Sequence, residues 1–83
     1  MLEMRPNCEC CDRDLPPAEG GAFICTFECT FCEACAVGTL KGRCPNCTGN
    51  LVPRPSRPAH LLGRAPGSTQ RVLKPAGCVA DAA

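Results

Sequence analysis

Eight cysteines between residues 8 and 47 fall into four close pairs: Cys8 with Cys11, Cys25 with Cys29, Cys32 with Cys35, and Cys44 with Cys47. Thiols at this spacing do metal chemistry. Two cysteines separated by two residues bend the chain into a tight knuckle that points both sulfurs at one ion, and four sulfurs close a tetrahedral site. Eight sulfurs make two such sites, and the cofactor they suggest is a pair of structural Zn2+ ions. The residues alone leave two pairings open. Neighbouring pairs would give 8/11/25/29 and 32/35/44/47, two separate beads. Alternating pairs would give 8/11/32/35 and 25/29/44/47, which brace both sites into one unit.

Three other residues with reactive side chains stand apart. Cys10 is adjacent to Cys11, and adjacent cysteines rarely both ligate one tetrahedral ion, so the reading is a free thiol beside the site. Cys78 is isolated near the C-terminus and reads as a free, exposed thiol, able to cross-link under oxidation. His60 lies among prolines, far from the knuckles. An iron–sulfur cluster is the competing metal reading, because Cys29, Cys32 and Cys35 followed by Cys44 and Pro45 resemble a bacterial ferredoxin run. The gap before Cys44 is too long for that run, and Cys8, Cys11, Cys25 and Cys47 would be left over. No nucleophile has a histidine base nearby, and closed four-thiolate sites lack the open position that catalytic zinc needs. The expectation is that the chain is not an enzyme.

Metal is also what the rest of the composition demands. The hydrophobic fraction of 45% includes ten cysteines, and the large apolar side chains of residues 1–52 are too few to offset the ordering entropy of fifty residues. Residues Met1 to Pro6 lack the basic start and apolar run of a signal peptide. No apolar stretch approaches the ~20 residues of a membrane span. The expected location is cytoplasmic, where thiols stay reduced and clustered cysteines bind metal rather than form disulfides.

Elements that could position the sulfurs follow from local pattern. The β-prone stretches 22–25 and 30–32 suggest a hairpin around Glu28. Residues Glu33 to Lys41 suggest a short helix starting in the third knuckle and ended by Gly42, with Val37 and Leu40 inward. Two domains of character follow: a metal-stapled α+β domain over 1–52, and a Pro/Arg-rich flexible tail over 53–83. The tail carries Pro53, Pro55, Pro58, Pro66 and Pro75, which favour extended backbone. Charge divides similarly. Residues 1–47 hold seven acidic and four basic side chains, whereas Arg54, Arg57, Arg64, Arg71 and Lys74 face only Asp81 beyond them. No aromatics interleave those basic residues, so the tail reads as a solvated linker and not as a nucleic-acid site.

The eight cysteine positions resemble those of RING fingers, with cysteine at the fourth position where histidine is usual. Phe31 sits where RING fingers place a core aromatic, and Cys44, Pro45 and Cys47 match their closing knuckle. The resemblance covers about half the chain and implies a RING-like or treble-clef cross-brace, with Cys8, Cys11, Cys32 and Cys35 on one ion and Cys25, Cys29, Cys44 and Cys47 on the other. It also implies what is missing. RING-type ubiquitin ligases use an apolar residue between the first two ligands, where this chain has Glu9 and Cys10, and a basic residue after the last, where it has Thr48. The richness in Ala, Arg, Gly and Pro points to a GC-rich bacterial genome, in which ubiquitin transfer is not expected. The whole chain further resembles a bacterial family of small cysteine-rich proteins of unknown function, through the segments from Met1 to Cys11 and from Cys25 to Cys32.

The resulting expectation is a non-catalytic zinc-binding module that acts as a protein-interaction or regulatory adaptor, with an unidentified protein partner and no membrane. The alternative is a thiol-based redox or zinc-responsive regulator; a ubiquitin-ligase-like RING and an iron–sulfur carrier rank below both. A core this small couples folding to metal. Complete removal of metal with a chelator should therefore abolish the folded far-ultraviolet circular dichroism spectrum. An unchanged spectrum would show that the apolar core suffices.

Overall fold

A computed structural model describes residues 2–73 and Cys78. Three short strands form one antiparallel sheet in the order β2-β1-β3: β1 is Ala22–Ile24, β2 is Thr30–Cys32 and β3 is Val52–Pro53. β-Branched and aromatic residues occupy the centre of the first pair, with Phe23 opposite Phe31 and Ile24 opposite Thr30. These residue types suit a pleated, half-buried surface. The turn between β1 and β2 holds Cys25 and Cys29, so the hairpin itself delivers two sulfurs. Glu28 closes that turn at φ 67, with its N–H donated to the Cys25 carbonyl at 3.1 Å.

Beyond β2 the chain winds through Ala34–Thr39 as a single π-type stretch, and the Leu40 N–H reaches back five residues to the Cys35 carbonyl at 2.7 Å. This element is shorter and wider than the helix expected over 33–41. The winding turns Ala36 and Leu40 into the core and leaves Val37 59% exposed, which corrects the expectation that Val37 faces inward. Phe31 is fully enclosed among Leu15, Ala22, Ala36, Leu40, Leu51 and the sulfurs of Cys8, Cys25, Cys32 and Cys44. The core thus consists largely of the ligand-bearing segments themselves.

Two loops are built alike, 36 residues apart. In the first, the Cys8 N–H donates to the Arg13 carbonyl at 2.8 Å and the Asp12 N–H to the Cys8 carbonyl at 2.9 Å. In the second, Cys44 donates to Gly49 and Thr48 to Cys44 at the same distances. Each loop is closed by an antiparallel bridge, Asn7 to Asp14 and Arg43 to Asn50. Each also carries a left-handed residue just after its second sulfur, Asp12 at φ 65 and Thr48 at φ 63. A left-handed Asp is tolerated, whereas a β-branched Thr there is strained.

The structure continues across the boundary expected after residue 52. β3 crosses it, and the segment that follows packs back over the domain rather than extending as a flexible tail. Arg54 is the reason. Its backbone N–H donates to the Ala22 carbonyl at 2.8 Å, which extends the sheet edge. Its guanidinium is buried and donates to the carbonyls of Arg5 at 2.9 Å and Leu15 at 3.0 Å. Arg57 does the same nearer the surface, donating to the carbonyls of Leu2 at 2.9 Å and Ala65 at 2.8 Å. The chain then passes through a 3-10 turn at Ala59–Leu61 that leaves His60 exposed. The part of the tail that includes Lys74 and Asp81 lies outside the described residues.

Arg54 therefore clamps the N-terminal segment, the first long loop and the sheet edge together. Its removal strands buried carbonyls and opens a void, each a recognised route to large destabilisation. Arg54→Ala should lower the unfolding free energy by about 3 kcal/mol in denaturant titration of the metal-loaded protein. Arg64→Ala, at an exposed position, should change it by less than about 0.5 kcal/mol. Equal effects of the two would remove the clamp.

Candidate metal centres

The fold collects the cysteine sulfurs into two groups that interleave along the chain. Cys8, Cys11, Cys32 and Cys35 lie with their sulfurs all within 4.8 Å of one another. Cys25, Cys44 and Cys47 form the second group under the same limit. The Cys29 sulfur contacts Cys25 and the Asn46 side chain but stands outside that limit. Its loop is one residue longer than the other three knuckles, and the added residue loosens the approach. His60 belongs to neither group among the described residues.

The donor set fits a thiophilic metal. Within the first group the Cys11 and Cys32 sulfurs are 3.7 Å apart. Four sulfurs at about 2.3 Å from a tetrahedral ion are separated by about 3.8 Å. Backbone dipoles are also aimed at the sulfurs. The N–H of Cys10 points at Cys8 Sγ at 3.4 Å, Phe27 at Cys25 Sγ at 3.3 Å, Asn46 at Cys44 Sγ at 3.4 Å and Gly49 at Cys47 Sγ at 3.4 Å. Each donor lies two residues beyond its acceptor, so tight turns supply them without side chains. N–H groups directed at sulfur favour the thiolate that a metal requires.

The thiols are not equivalent. Burial raises Cys35, and the neighbouring Cys32 and Cys8 push it up further. Burial, with the Cys25 and Cys47 thiols, pushes Cys44 up to about 12 against the opposing N–H groups of Cys47 and Asn46. Cys25 and Cys32 move the other way. Burial opposes their ionisation, but backbone N–H donors and adjacent thiols outweigh it and lower both. Each cluster thus pairs a thiol whose ionisation is eased with one whose ionisation is opposed.

A buried carboxylate joins the two groups. Glu9 lies inside the first knuckle, only 2% exposed. Its Oε2 accepts from the Thr30 backbone N–H and from Arg5 Nη1, both at 3.0 Å, and its Oε1 accepts from Asn46 Nδ2 at 3.2 Å. Asn46 belongs to the last knuckle, so one side chain ties the loop of the first centre to β2 and to the loop of the second. Sequence reasoning noted Glu9 only as a polar residue where an apolar one was wanted. Arg5, four residues away, is its local partner, but the tie it makes rests on partners 21 and 37 residues away.

Comparison with known proteins now has a geometry to refer to. The family described as a protein of unknown function (DUF1272) matches residues 1–57, more than half of the chain. The chain belongs to this family. An uncharacterized protein of Rhizobium meliloti (strain 1021) is 65% identical over 83 residues, covering 100% of this chain and 99% of that relative. No solved structure matches. The DUF1272 match spans the eight paired cysteines, Glu9, Asn46, Arg54 and Arg57, and ends before residues 67–72, which also pack on the domain. No helix among the described residues of this DUF1272 protein is long and apolar enough to cross a membrane.

Cys10 and Cys78 differ from expectation. Both were read as free thiols, yet they are joined by a disulfide across 68 residues, with their Cα atoms 5.0 Å apart. Their sequence separation gave no sign of the pair; residues 67–72 dock on residues 4–14, which include Cys10.

Metal must displace protons from the raised thiols, so binding weakens as pH falls. Cobalt(II) titrated into the metal-free protein should produce thiolate-to-cobalt charge-transfer absorption near pH 8. Its apparent affinity should fall by ~100-fold or more for each pH unit between about 7 and 5. Loading that does not depend on pH would show that the ligands are not thiols.

Proposed function

We propose that this DUF1272 protein is a non-catalytic module that holds two zinc ions in a RING-like cross-brace and presents its surface to a protein partner in the cytoplasm. The observation that carries the reading is the interleaving of the sulfur groups. Cys8, Cys11, Cys32 and Cys35 enclose one point, while Cys25, Cys44 and Cys47 enclose another, with Cys29 adjoining as the fourth ligand. Sulfur ligands in tetrahedral sets select zinc or iron–sulfur clusters. A complete four-cysteine group, with its Cys11 and Cys32 sulfurs at the separation of a single-ion tetrahedron, favours zinc. Closed sets of this kind stabilise a fold and leave no position for water or substrate.

Surface chemistry supports a protein partner over a nucleic acid. Of the four arginines described beyond residue 53, Arg54 is buried, Arg57 donates to carbonyls, Arg71 pairs with Asp12 and Asp14, and Arg64 is exposed. Little free positive charge is left for phosphates. Phe27, Val37 and Val52 are large, apolar and more than half exposed, and aromatic side chains of that kind anchor protein interfaces.

A second reading, regulation through thiol redox, is favoured by the Cys10–Cys78 bond beside the first centre. Native mass spectrometry with elemental analysis separates these accounts. Two zinc ions per chain are expected, with Cys29→Ser binding its second ion more weakly. Iron with sulfide, or a single metal per chain, would overturn the double-zinc module.

A further inference from the structure

The Cys10–Cys78 bond joins the first knuckle to a position six residues beyond a docked segment. Gly67 approaches Met4 and Pro17 so closely that an added Cβ would sit 2.9 Å from Pro17 Cγ and 3.3 Å from the Met4 carbonyl oxygen. The Ser68 N–H donates to the Met4 carbonyl at 2.9 Å. Arg71 Nη2 reaches Asp12 Oδ1 at 2.9 Å and Asp14 Oδ1 at 2.8 Å. Asn7 and Val72 exchange two hydrogen bonds: Asn7 Nδ2 donates to the Val72 carbonyl at 2.9 Å, and the Val72 N–H donates to Asn7 Oδ1 at 3.2 Å. Residues 67–72 therefore form a strap over residues 4–14, which include the first knuckle.

These contacts do not hold the strap by strength alone. The Arg71 ion pairs are exposed, and pairs of that kind contribute little. Arg71, Val72 and Leu73 remain largely in solvent. A covalent link changes the balance by fixing one end at high effective concentration. Cys10 is neither spare nor remote: it lies between the ligands Cys8 and Cys11, and its N–H is directed at Cys8 Sγ. Both it and Cys78 are partly exposed and so within reach of a small reagent.

We propose that Cys10 and Cys78 form a reversible thiol–disulfide exchange site for low-molecular-weight disulfides, which latches the strap over the first metal centre when oxidised and frees it when reduced. The thiolate of one cysteine attacks a sulfur of the small disulfide, forming a mixed disulfide and expelling one small thiolate. The thiolate of the other cysteine then attacks the protein sulfur of that mixed disulfide, forming the Cys10–Cys78 bond and expelling the second. Two electrons pass from the protein to the small disulfide, which leaves as two thiols, and the reverse sequence opens the latch. The site rests on the zinc-module reading only for its place beside a centre.

The test uses full-length metal-loaded protein equilibrated in buffers of varied oxidised-to-reduced glutathione ratio, then quenched in acid. Differential alkylation should show Cys10 and Cys78 changing together in one two-electron transition. Trypsin should cut after Arg71 at least ~10-fold more slowly in the oxidised form, because the strap is held down. Cys78→Ser should be cut at the fast rate in every buffer while keeping the wild-type metal content. Independent alkylation of the two cysteines at all ratios, or equal cleavage of both forms, would overturn the exchange site. A coupled transition in protein that holds no metal would leave the site standing and refute the zinc module. Full metal content without a coupled transition would do the reverse.

Discussion

Everything in this protein depends on bringing eight sulfurs together from a chain that has little else to bury. Phe31 shares its core with Cys8, Cys25, Cys32 and Cys44 as well as with leucine and alanine. An apolar core of that size cannot repay the ordering entropy of its own loops. Two groups of converging sulfurs could, with a cation to neutralise the charge that crowding otherwise forbids. The divergent thiol acidities express that constraint: Cys25 and Cys32 are pulled toward ionisation while Cys35 and Cys44 are pushed from it.

Interleaving converts two local knots into one body. The first and last knuckles repeat a single design 36 residues apart, with matched hydrogen bonds, matched bridges and a left-handed residue in the same place. The β1–β2 hairpin and the turn after it supply the other two pairs. Because each group draws from two distant knuckles, neither centre forms without fixing the chain around the other. Glu9 adds a polar tie between them through Thr30 and Asn46. A buried carboxylate left unpaired would be costly, so the tie also selects against misregistered loops.

The basic half of the chain serves the same economy. Arg54 and Arg57 satisfy backbone carbonyls from the N-terminus, the first long loop and the returning tail. A guanidinium offers five donors in a rigid fork and suits this role where a lysine would not. The acidic first half and basic second half meet directly where Arg71 lies between Asp12 and Asp14. Charge separation along the sequence becomes charge pairing in space.

The close cysteine pairs and the β1–β2 hairpin around Glu28 were legible in the sequence, because each depends on residues within a few positions of one another, and the core place of Phe31 was implied by resemblance. The alternating order was suggested by resemblance, and the sulfur positions follow it, with Cys29 the loosest. Val37 was misjudged because a π-type winding changes which residues share a face. The tail was misjudged because proline content describes backbone preference and says nothing of what distant carbonyls require. Arg54, Glu9 and the Cys10–Cys78 bond owe their roles to partners 21 to 68 residues away. The sequence by itself determined that this chain carries paired thiols able to hold metal. Only the tertiary structure decided what closes over them, since long-range polar contacts depend on which segments the cross-brace brings side by side.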